Sequence, residues 1–136
     1  MIGKNKYEMS GKDALLDSNV FVYISQKQLD FEKLLEKHDN FYASVISKME
    51  VLGYNFNNQE EKDIVENMFN EIEIINLNED IVNKVIEIRK KKKIKLPDAI
   101  VYATASSNEL DLITRNVDDF KNIDNSVKVI NPFDNE

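Results

Sequence analysis

The feature that most constrains this chain is a regular alternation of short apolar segments with longer amphipathic ones. Short apolar segments lie at residues 14–16, 41–43, 72–77, 110–114 and 127–130. Apolar residues at helical spacing fill the longer segments between them, at residues 26–38, 45–56, 59–70, 79–93 and 97–109, and residues 20–24 open a further helix. Short strands separated by helices predict an α/β fold, with a parallel sheet covered by helices on both faces.

The length of 136 residues suits one domain with one real core. Residues 1–12 are polar and hold two of the three glycines, so we expect a flexible tail followed by a single domain over residues 13–136. No apolar run is long enough to span a membrane, and charged residues interrupt the start of the chain. We therefore expect a cytoplasmic protein with no membrane partner.

Composition excludes several kinds of site. The chain has no Cys and one His, which excludes disulfide scaffolds, thiol nucleophiles and multi-histidine metal sites. The formal net charge is −7, which is not that of a generic nucleic-acid binder. Six of the 18 positive charges nevertheless lie together, at Arg89, Lys90, Lys91, Lys92, Lys93 and Lys95. This basic run is a candidate contact for RNA phosphates, although cations at a helix C-terminus are also stabilising without any ligand.

Three acidic residues stand where a carboxylate is costly or unusual. Asp17 directly follows the first predicted strand, Glu50 lies beside the apolar stripe of a predicted helix, and Asp98 opens a mostly apolar helix. Each has a purely structural alternative. Asp17 suits a helix N-cap, Glu50 completes an S-x-x-E capping box with Ser47, and Asp98 suits the positive end of a helix dipole.

These acids are expected to converge. Asp118 and Asp119 follow the fourth predicted strand, so acids come just after separate strands or at helix starts. In parallel sheets such positions meet at the carboxyl edge. Converging carboxylates raise one another's pKa, and a hard divalent cation with oxygen ligands removes that cost. The sequence therefore predicts a divalent metal site at this edge.

Four segments in this order resemble the motifs of PIN domains. The first is Leu15 to Tyr23, which begins L-L-D-S-N; the second is Ser44 to Gly53, which contains Glu50; the third is Leu96 to Ala105, L-P-D-A-I-V-Y-A-T-A; and the fourth is Leu112 to Phe120. Their order, spacing and total length are similar to those of the VapC-like toxins of bacteria and archaea.

The resemblance implies a three-layer α/β/α sandwich with a short parallel sheet of four or five strands, and a ribonuclease that depends on Mg²⁺ or Mn²⁺. It also implies an RNA substrate of the tRNA or rRNA class and a cognate antitoxin protein. Asp17, Glu50 and Asp98 fall on acidic metal-site positions, and these three are the catalytic candidates. The fourth acidic position is occupied by Asn116, a departure from the pattern, and Asp119 is an alternative ligand.

Within this hypothesis Asp17 and Asp98 bind the metal directly, and Glu50 acts through water or orients the attacking water. Three hydroxyl or amide residues are candidate phosphate donors or supports for the ligands: Ser18, Asn19 and Thr114.

Other interpretations remain open at this point. The chain is alternatively a PIN-like module that binds RNA or protein without cutting, because Asn116 weakens the metal site, or an unrelated phosphoacceptor domain. The apolar stripes of segments 26–38 and 59–70 are open to two explanations. A second copy of the chain, in a homodimer, or an antitoxin helix covers them, or they pack in the core of the domain itself. His38 is expected on the surface at a helix end.

Overall fold

The structure is a computed structural model that describes residues 13–134. The predicted tail at residues 1–12 lies outside the described residues. Within them, short strands alternate with helices along the whole chain. The strands are β1 Ala14–Leu16, β2 Phe41–Ser44, β3 Glu73–Ile75, β4 Asp111–Ile113 and β5 Val129–Ile130, and the helices are α1 Ser18–Ser25, α2 Phe31–Leu35, α3 Val45–Leu52, α4 Gln59–Glu71, α5 Glu79–Lys91 and α6 Leu96–Ser107, with a 3₁₀ turn at Val117–Phe120.

The five strands form one parallel sheet in the order β3-β2-β1-β4-β5. β1 is central, with Leu15 opposite Tyr42 of β2 on one side and Leu112 of β4 on the other. The chain builds outward from β1 to β3 and then crosses back to place β4 on the opposite side of β1. The carboxyl ends of β1 and β4 therefore form the topological switch point, where α/β sheets bind their ligands.

A hydrophobic core lies on each face of the sheet, between the sheet and the helices that cover it. This arrangement confirms the α/β/α sandwich. Alternate residues of β1 point to opposite faces, so Ala14 and Leu16 pack with α1, α2 and α4, whereas Leu15 packs with α5 and α6. All three β1 side chains are fully buried. Burial of a Leu-sized side chain stabilises a fold by roughly 1.5–3 kcal/mol, so the central strand β1 is strongly held from both faces of the sheet.

Some predicted helix bounds are wrong, and local caps explain why. The predicted helix at 26–38 is reduced to α2, because Lys27 has a left-handed backbone (φ 61°) and the Asp30 side chain caps a new helix by accepting from the Glu32 amide. The predicted helix at 45–56 ends at Leu52, with Gly53 as its C-cap. The third strand is three residues long, not the six of the predicted segment 72–77.

The apolar surface also differs from the expectation. The α4 stripe at Val65, Met68 and Phe69 is buried against the sheet, as the core-packing alternative requires. His38 is buried rather than exposed, and its Nε2 lies 3.2 Å from Asp111 Oδ2. None of the helices described for residues 13–134 is both long and apolar enough to cross a membrane.

Candidate active site

Asp17 occupies the switch point because it directly follows β1. Its backbone amide donates to the Ile113 carbonyl at 2.9 Å, which continues the β1–β4 pairing one residue beyond the strands. Its side chain is 7% exposed, and Oδ1 accepts from the Ser18 amide at 2.8 Å as the N-cap of α1. Asp17 is thus the N-cap of α1, as its structural alternative predicted, and this role uses only one of its two carboxylate oxygens.

That second oxygen is held by Thr114, the residue after β4. Thr114 Oγ1 donates to Asp17 Oδ2 at 2.8 Å and accepts from the Asn116 amide at 3.0 Å. Thr114 itself is fully buried. One hydroxyl group therefore fixes both the Asp17 carboxylate and the start of the loop that carries the fourth motif.

A second contact joins the first and fourth motifs. Asn19 Oδ1, in the first turn of α1, accepts from the Arg115 amide at 3.3 Å. The candidate residues Asn19 and Thr114 thus both contact the loop after β4.

Glu50 lies at the edge of the site in a different environment from the one expected. Its side chain is exposed, and its Oε1 accepts from Ser18 Oγ at 2.6 Å. The capping-box explanation is wrong, because α3 begins three residues earlier than that explanation requires. Ser44 is the N-cap, and its Oγ accepts from the Ile46 amide at 3.2 Å. The hydrogen bond to Ser18 connects Glu50 to the residue next to Asp17.

Asp98 stands in the first turn of α6, where Pro97 supports the helix start and Lys95 is the N-cap. It is half-buried. Burial, followed by the charges of Asp17 and Asp119, raises the pKa of Asp98 to about 6, against the opposing charge of Lys95. The raised pKa of Asp98 thus reflects both its burial and the neighbouring negative charges of the site.

The fourth motif divides its residues between two roles. Asn116 precedes the 3₁₀ turn and is exposed, and its side chain makes no cap hydrogen bond there. Asp118 pairs with Lys121 at 2.7 Å and is thereby engaged in a surface ion pair. Asp119 is exposed, and its charge raises the pKa of both Asp17 and Asp98. Of the two loop acids, Asp119 is therefore the one whose charge acts on the site.

The electrostatics of the site are those of an acidic cluster. Burial raises the pKa of Asp17, the hydrogen bonds from Thr114 and Ser18 oppose that rise, and the charges of Glu50 and Asp119 add to it. Glu50 also raises the pKa of Asp98. The charges of Glu50 and Asp119 thus disfavour the ionised forms of both Asp17 and Asp98, although the four groups belong to separate elements.

The donor set suits a hard divalent cation, because all four groups offer carboxylate oxygens and carry uncompensated negative charge. The side chains are not assembled around one point, however. Over residues 13–134, no three carboxylate or imidazole groups stand close enough to hold a single ion. The electrostatics fit a metal, but the side-chain geometry is not that of a preformed cage.

The structure also identifies residues whose contribution sequence reasoning missed. Lys95 opposes the pKa rise of Asp98, a role distinct from the RNA contact predicted for it. Ser47 is fully buried on α3, and its hydroxyl finds no hydrogen-bond partner among the described residues.

The basic run leads directly into the site. Its first three residues form the last turn of α5, and the rest connect α5 to α6. Arg89 to Ile94 line a cleft of about 410 Å³. The run ends three residues before Asp98, so a polyanion bound along it would approach the acids.

Comparison with known proteins identifies the family. A sequence profile of the PIN domain matches residues 14–126. The chain belongs to the PIN-domain family. No curated protein sequence matches the chain significantly.

Solved structures of toxin–antitoxin complexes agree with this PIN-domain assignment. A toxin–antitoxin complex from Klebsiella pneumoniae is 32% identical, with a TM-score of 0.69 over 88% of this chain and 98% of that chain. DNA-bound VapBC from Salmonella typhimurium has a TM-score of 0.74 at 18% identity, over 89% and 98% of the two chains. VapBC2 from Rickettsia felis, bound to a promoter DNA fragment, has a TM-score of 0.72 at 20% identity, over 88% and 98%. At these two lower identities the likeness concerns the fold.

Thr114→Val tests the bridge between the first and fourth motifs of this PIN domain. The substitution keeps the shape of the side chain but leaves the buried Asp17 oxygen and the Asn116 amide without their partner. We expect the free energy of unfolding to fall by about 1–3 kcal/mol, measured by urea denaturation. Thr114→Ser retains the hydroxyl and is the matched control. Equal losses in both variants would show that the methyl group, and not the hydrogen bonds, carries the effect.

Asp98→Asn tests the repulsion within the acidic cluster. The folded-state pKa of Asp98, about 6, lies above its ordinary value of 3.8. The folded chain therefore binds this proton more tightly than the unfolded chain does, and ionised Asp98 destabilises the fold. Without divalent ions, the variant is expected to melt at a higher temperature than the wild type above pH 6. The difference is expected to shrink between pH 6 and 3.8.

Thermal unfolding followed by circular dichroism, in buffer with a chelator, measures this difference. Asp118→Asn is the control, because it removes an acid from the same part of the chain that pairs with Lys121 instead of facing the cluster. A melting-temperature difference for Asp98→Asn that stays constant with pH would contradict the repulsion.

Proposed function

We propose that this chain is a metal-dependent endoribonuclease and the toxin of a toxin–antitoxin pair. The observation that carries the proposal is the acidic cluster at the switch point of a PIN-domain fold, where the charges of Glu50 and Asp119 raise the pKa of both Asp17 and Asp98. Repulsion within such a cluster of acids destabilises the fold. A function that binds a divalent cation at the cluster would explain why the acids are placed together.

In this proposal Asp17 and Asp98 hold Mg²⁺ or Mn²⁺, with Asp119 or Asn116 as a further ligand. A bound divalent ion lowers the pKa of a coordinated water and neutralises charge on the phosphoryl oxygens. Thr114 and the Ser18 amide orient the Asp17 carboxylate toward that task. Ser18 Oγ holds Glu50 at the edge of the site, where Glu50 orients the attacking water.

The basic run supports the proposal that the substrate is RNA. A chain with a net charge of −7 repels RNA over most of its surface. The cationic cleft at the end of α5 is the favourable approach, and its lining ends at Ile94, four residues before Asp98. We assign phosphate contacts to this cleft and water attack on the phosphodiester to the acids. Lys95 lies between the two.

The solved relatives support the proposal of an antitoxin partner, because they are structures of toxin–antitoxin systems. A nuclease toxin needs restraint in the cell that makes it. A cognate antitoxin protein is accordingly the partner that we propose for this chain.

Two observations favour a second candidate, a PIN domain that binds RNA or protein without cutting. Asn116 stands where the family has an acid, and the described acids do not form a preformed cage. Metal-dependent turnover separates the two functions.

Cleavage of a mixed pool of structured RNA tests the nuclease. Purified chain, freed of bound partner, is expected to cut in Mg²⁺ or Mn²⁺ and not in a chelator. Asp98→Asn and Asp17→Asn are expected to lower the rate by at least roughly 100-fold, because loss of a ligand costs more than loss of its supporting partner. Asp17→Asn still offers an oxygen to the Ser18 amide, so the fold is retained.

Asp118→Asn is the matched control for cleavage, since it removes one negative charge from a neighbouring surface ion pair. Metal-dependent cleavage in wild type and Asp118→Asn alone supports the nuclease. A folded wild type that binds RNA but neither binds metal nor cuts would assign the second candidate function.

Lys91→Glu with Lys92→Glu tests the cationic cleft. Each phosphate contact contributes about 0.7–0.9 to the slope of log affinity against log salt. The double variant is expected to bind RNA more weakly and with a slope lower by about one to two, measured by fluorescence anisotropy at several salt concentrations.

Lys33→Glu with Lys62→Glu makes the same change in net charge on α2 and α4, across the sheet from the cleft. This control is expected to keep the wild-type slope. Equal slopes in all three proteins would mean that the basic run stabilises the helix end and does not contact RNA.

A further inference from the structure

Arg115 is an exposed cation in the loop after β4, at the acidic edge of the sheet. The backbone is held on both sides of this residue: Asn19 Oδ1 accepts from the Arg115 amide at 3.3 Å, and Thr114 Oγ1 accepts from the Asn116 amide at 3.0 Å. Within the described part of the chain, the Arg115 guanidinium forms no ion pair. Its charge is therefore available to a ligand, although acids surround the loop.

An aromatic ring, rather than an acid, contacts the Arg115 guanidinium. Arg115 Cζ lies 5.0 Å from the centre of the Phe133 ring, within the range of a cation–π contact. Arg115 follows β4 and Phe133 follows β5, and these neighbouring parallel strands end at the same edge of the sheet. The Thr114 amide donates to the Ile130 carbonyl at 2.9 Å and continues their pairing. The topology of the sheet thus brings the cation and the ring together.

Phe133 is itself fixed from two directions. Its amide donates to Asn131 Oδ1 at 3.0 Å, in the turn after β5, and its ring makes a T-shaped contact with Tyr23 of α1, with centroids 5.2 Å apart. Both rings pack against the core that lies beneath α1, α2 and α4. The Arg115 guanidinium therefore rests on a part of the folded domain, and a restrained side chain loses less conformational entropy when it binds a ligand.

The Arg115–Phe133 pair and the basic run lie on different sides of the acidic cluster. Phe133 and Tyr23 belong to the core on the α1 face of the sheet, whereas Ile94, within the basic run, packs against the core on the α5 and α6 face. The acidic cluster lies at the carboxyl edge, where the two faces meet. An RNA strand bound along the basic run and crossing the acids would continue towards Arg115.

A guanidinium group binds phosphate oxygens through its planar set of N–H donors. We infer that Arg115 binds an RNA phosphate next to the scissile phosphodiester, on the side away from the basic run, and that Phe133 is its positioning residue. The inference rests on the proposed nuclease function and adds a second phosphate contact to the same site. An acidic segment of a protein also attracts an exposed arginine. RNA is favoured because Arg115 directly follows Thr114, which holds the Asp17 carboxylate.

Arg115→Gln tests the phosphate contact. The probe is a fluorescein-labelled single-stranded RNA of mixed sequence, whose anisotropy is measured at several salt concentrations in a chelator, where no cleavage is expected. The variant is expected to bind roughly tenfold more weakly, as loss of one charge-assisted contact predicts. The slope of log affinity against log salt is expected to fall by about 0.7, the value for one phosphate on a single strand.

Lys62→Gln is the matched control for charge, because it removes one positive charge from an exposed position on α4. It is expected to keep the wild-type affinity and slope. Circular dichroism of each variant checks that it is folded.

Phe133→Leu tests the positioning role, because it keeps an apolar side chain against the core but removes the ring from Arg115. Alone, it is expected to weaken RNA binding by roughly two- to fivefold. In the Arg115→Gln background it is expected to have no further effect, because Phe133 acts through Arg115. Phe133→Tyr retains the ring and is expected to bind RNA as the wild type does.

Two results would overturn the inference and leave the nuclease proposal standing. The first is a wild type that binds and cuts RNA with an affinity that Arg115→Gln leaves unchanged, including one in which this substitution weakens only the binding of a partner protein. The second is a loss from Phe133→Leu that is equal in both backgrounds, which would mean that the ring supports the fold and not Arg115. A wild type that neither binds nor cuts RNA would overturn the proposed function and this inference together.

Discussion

The hydrogen bond between Thr114 and Asp17 joins the two strands between which the chain changes direction across the sheet. β1 and β4 are far apart in sequence and adjacent in the sheet, and their pairing extends beyond both strands through the Asp17 amide and the Thr114 side chain. The first and fourth motifs meet at this point. The start of α1 depends on the same carboxylate, since Asp17 is its N-cap. One buried contact between a hydroxyl group and a carboxylate thus joins the first and fourth motifs at the acidic edge.

That contact explains how the fold tolerates an acidic cluster. Buried Asp17 receives two hydrogen bonds, which offset part of the cost of its desolvation, whereas half-buried Asp98 has a pKa raised to about 6. The cost of burying negative charge is therefore distributed unevenly. Asp17 is buried and fixed by hydrogen bonds, whereas Glu50 and Asp119 stay exposed at the surface. The described acids do not form a closed cage around one point.

Charge elsewhere is segregated along one helix. α5 begins with Glu79 and Asp80, which face the positive end of the helix dipole, and ends with three cations at the negative end. This arrangement stabilises the helix by itself. It also places cations along the cleft at the end of the helix, whereas the inner face of the same helix is occupied by the core residues Ile81, Val85 and Ile88. One helix thereby serves both the core and the proposed substrate path.

The sequence by itself determined the alternation of strands and helices, the parallel sheet and the PIN-domain family, because hydrophobic period and motif order are local properties of the chain. It also placed Asp17 and Asp98 at strand and helix ends, where an acid is conspicuous. The metal-site roles of these residues remain predictions. Only the tertiary structure decided that His38 is buried against Asp111, that Glu50 bonds to Ser18, and that Asp119 and not Asp118 acts on the cluster. These outcomes depend on contacts between residues distant in sequence. A helical stripe shows the same periodicity whether the sheet or a second molecule covers it.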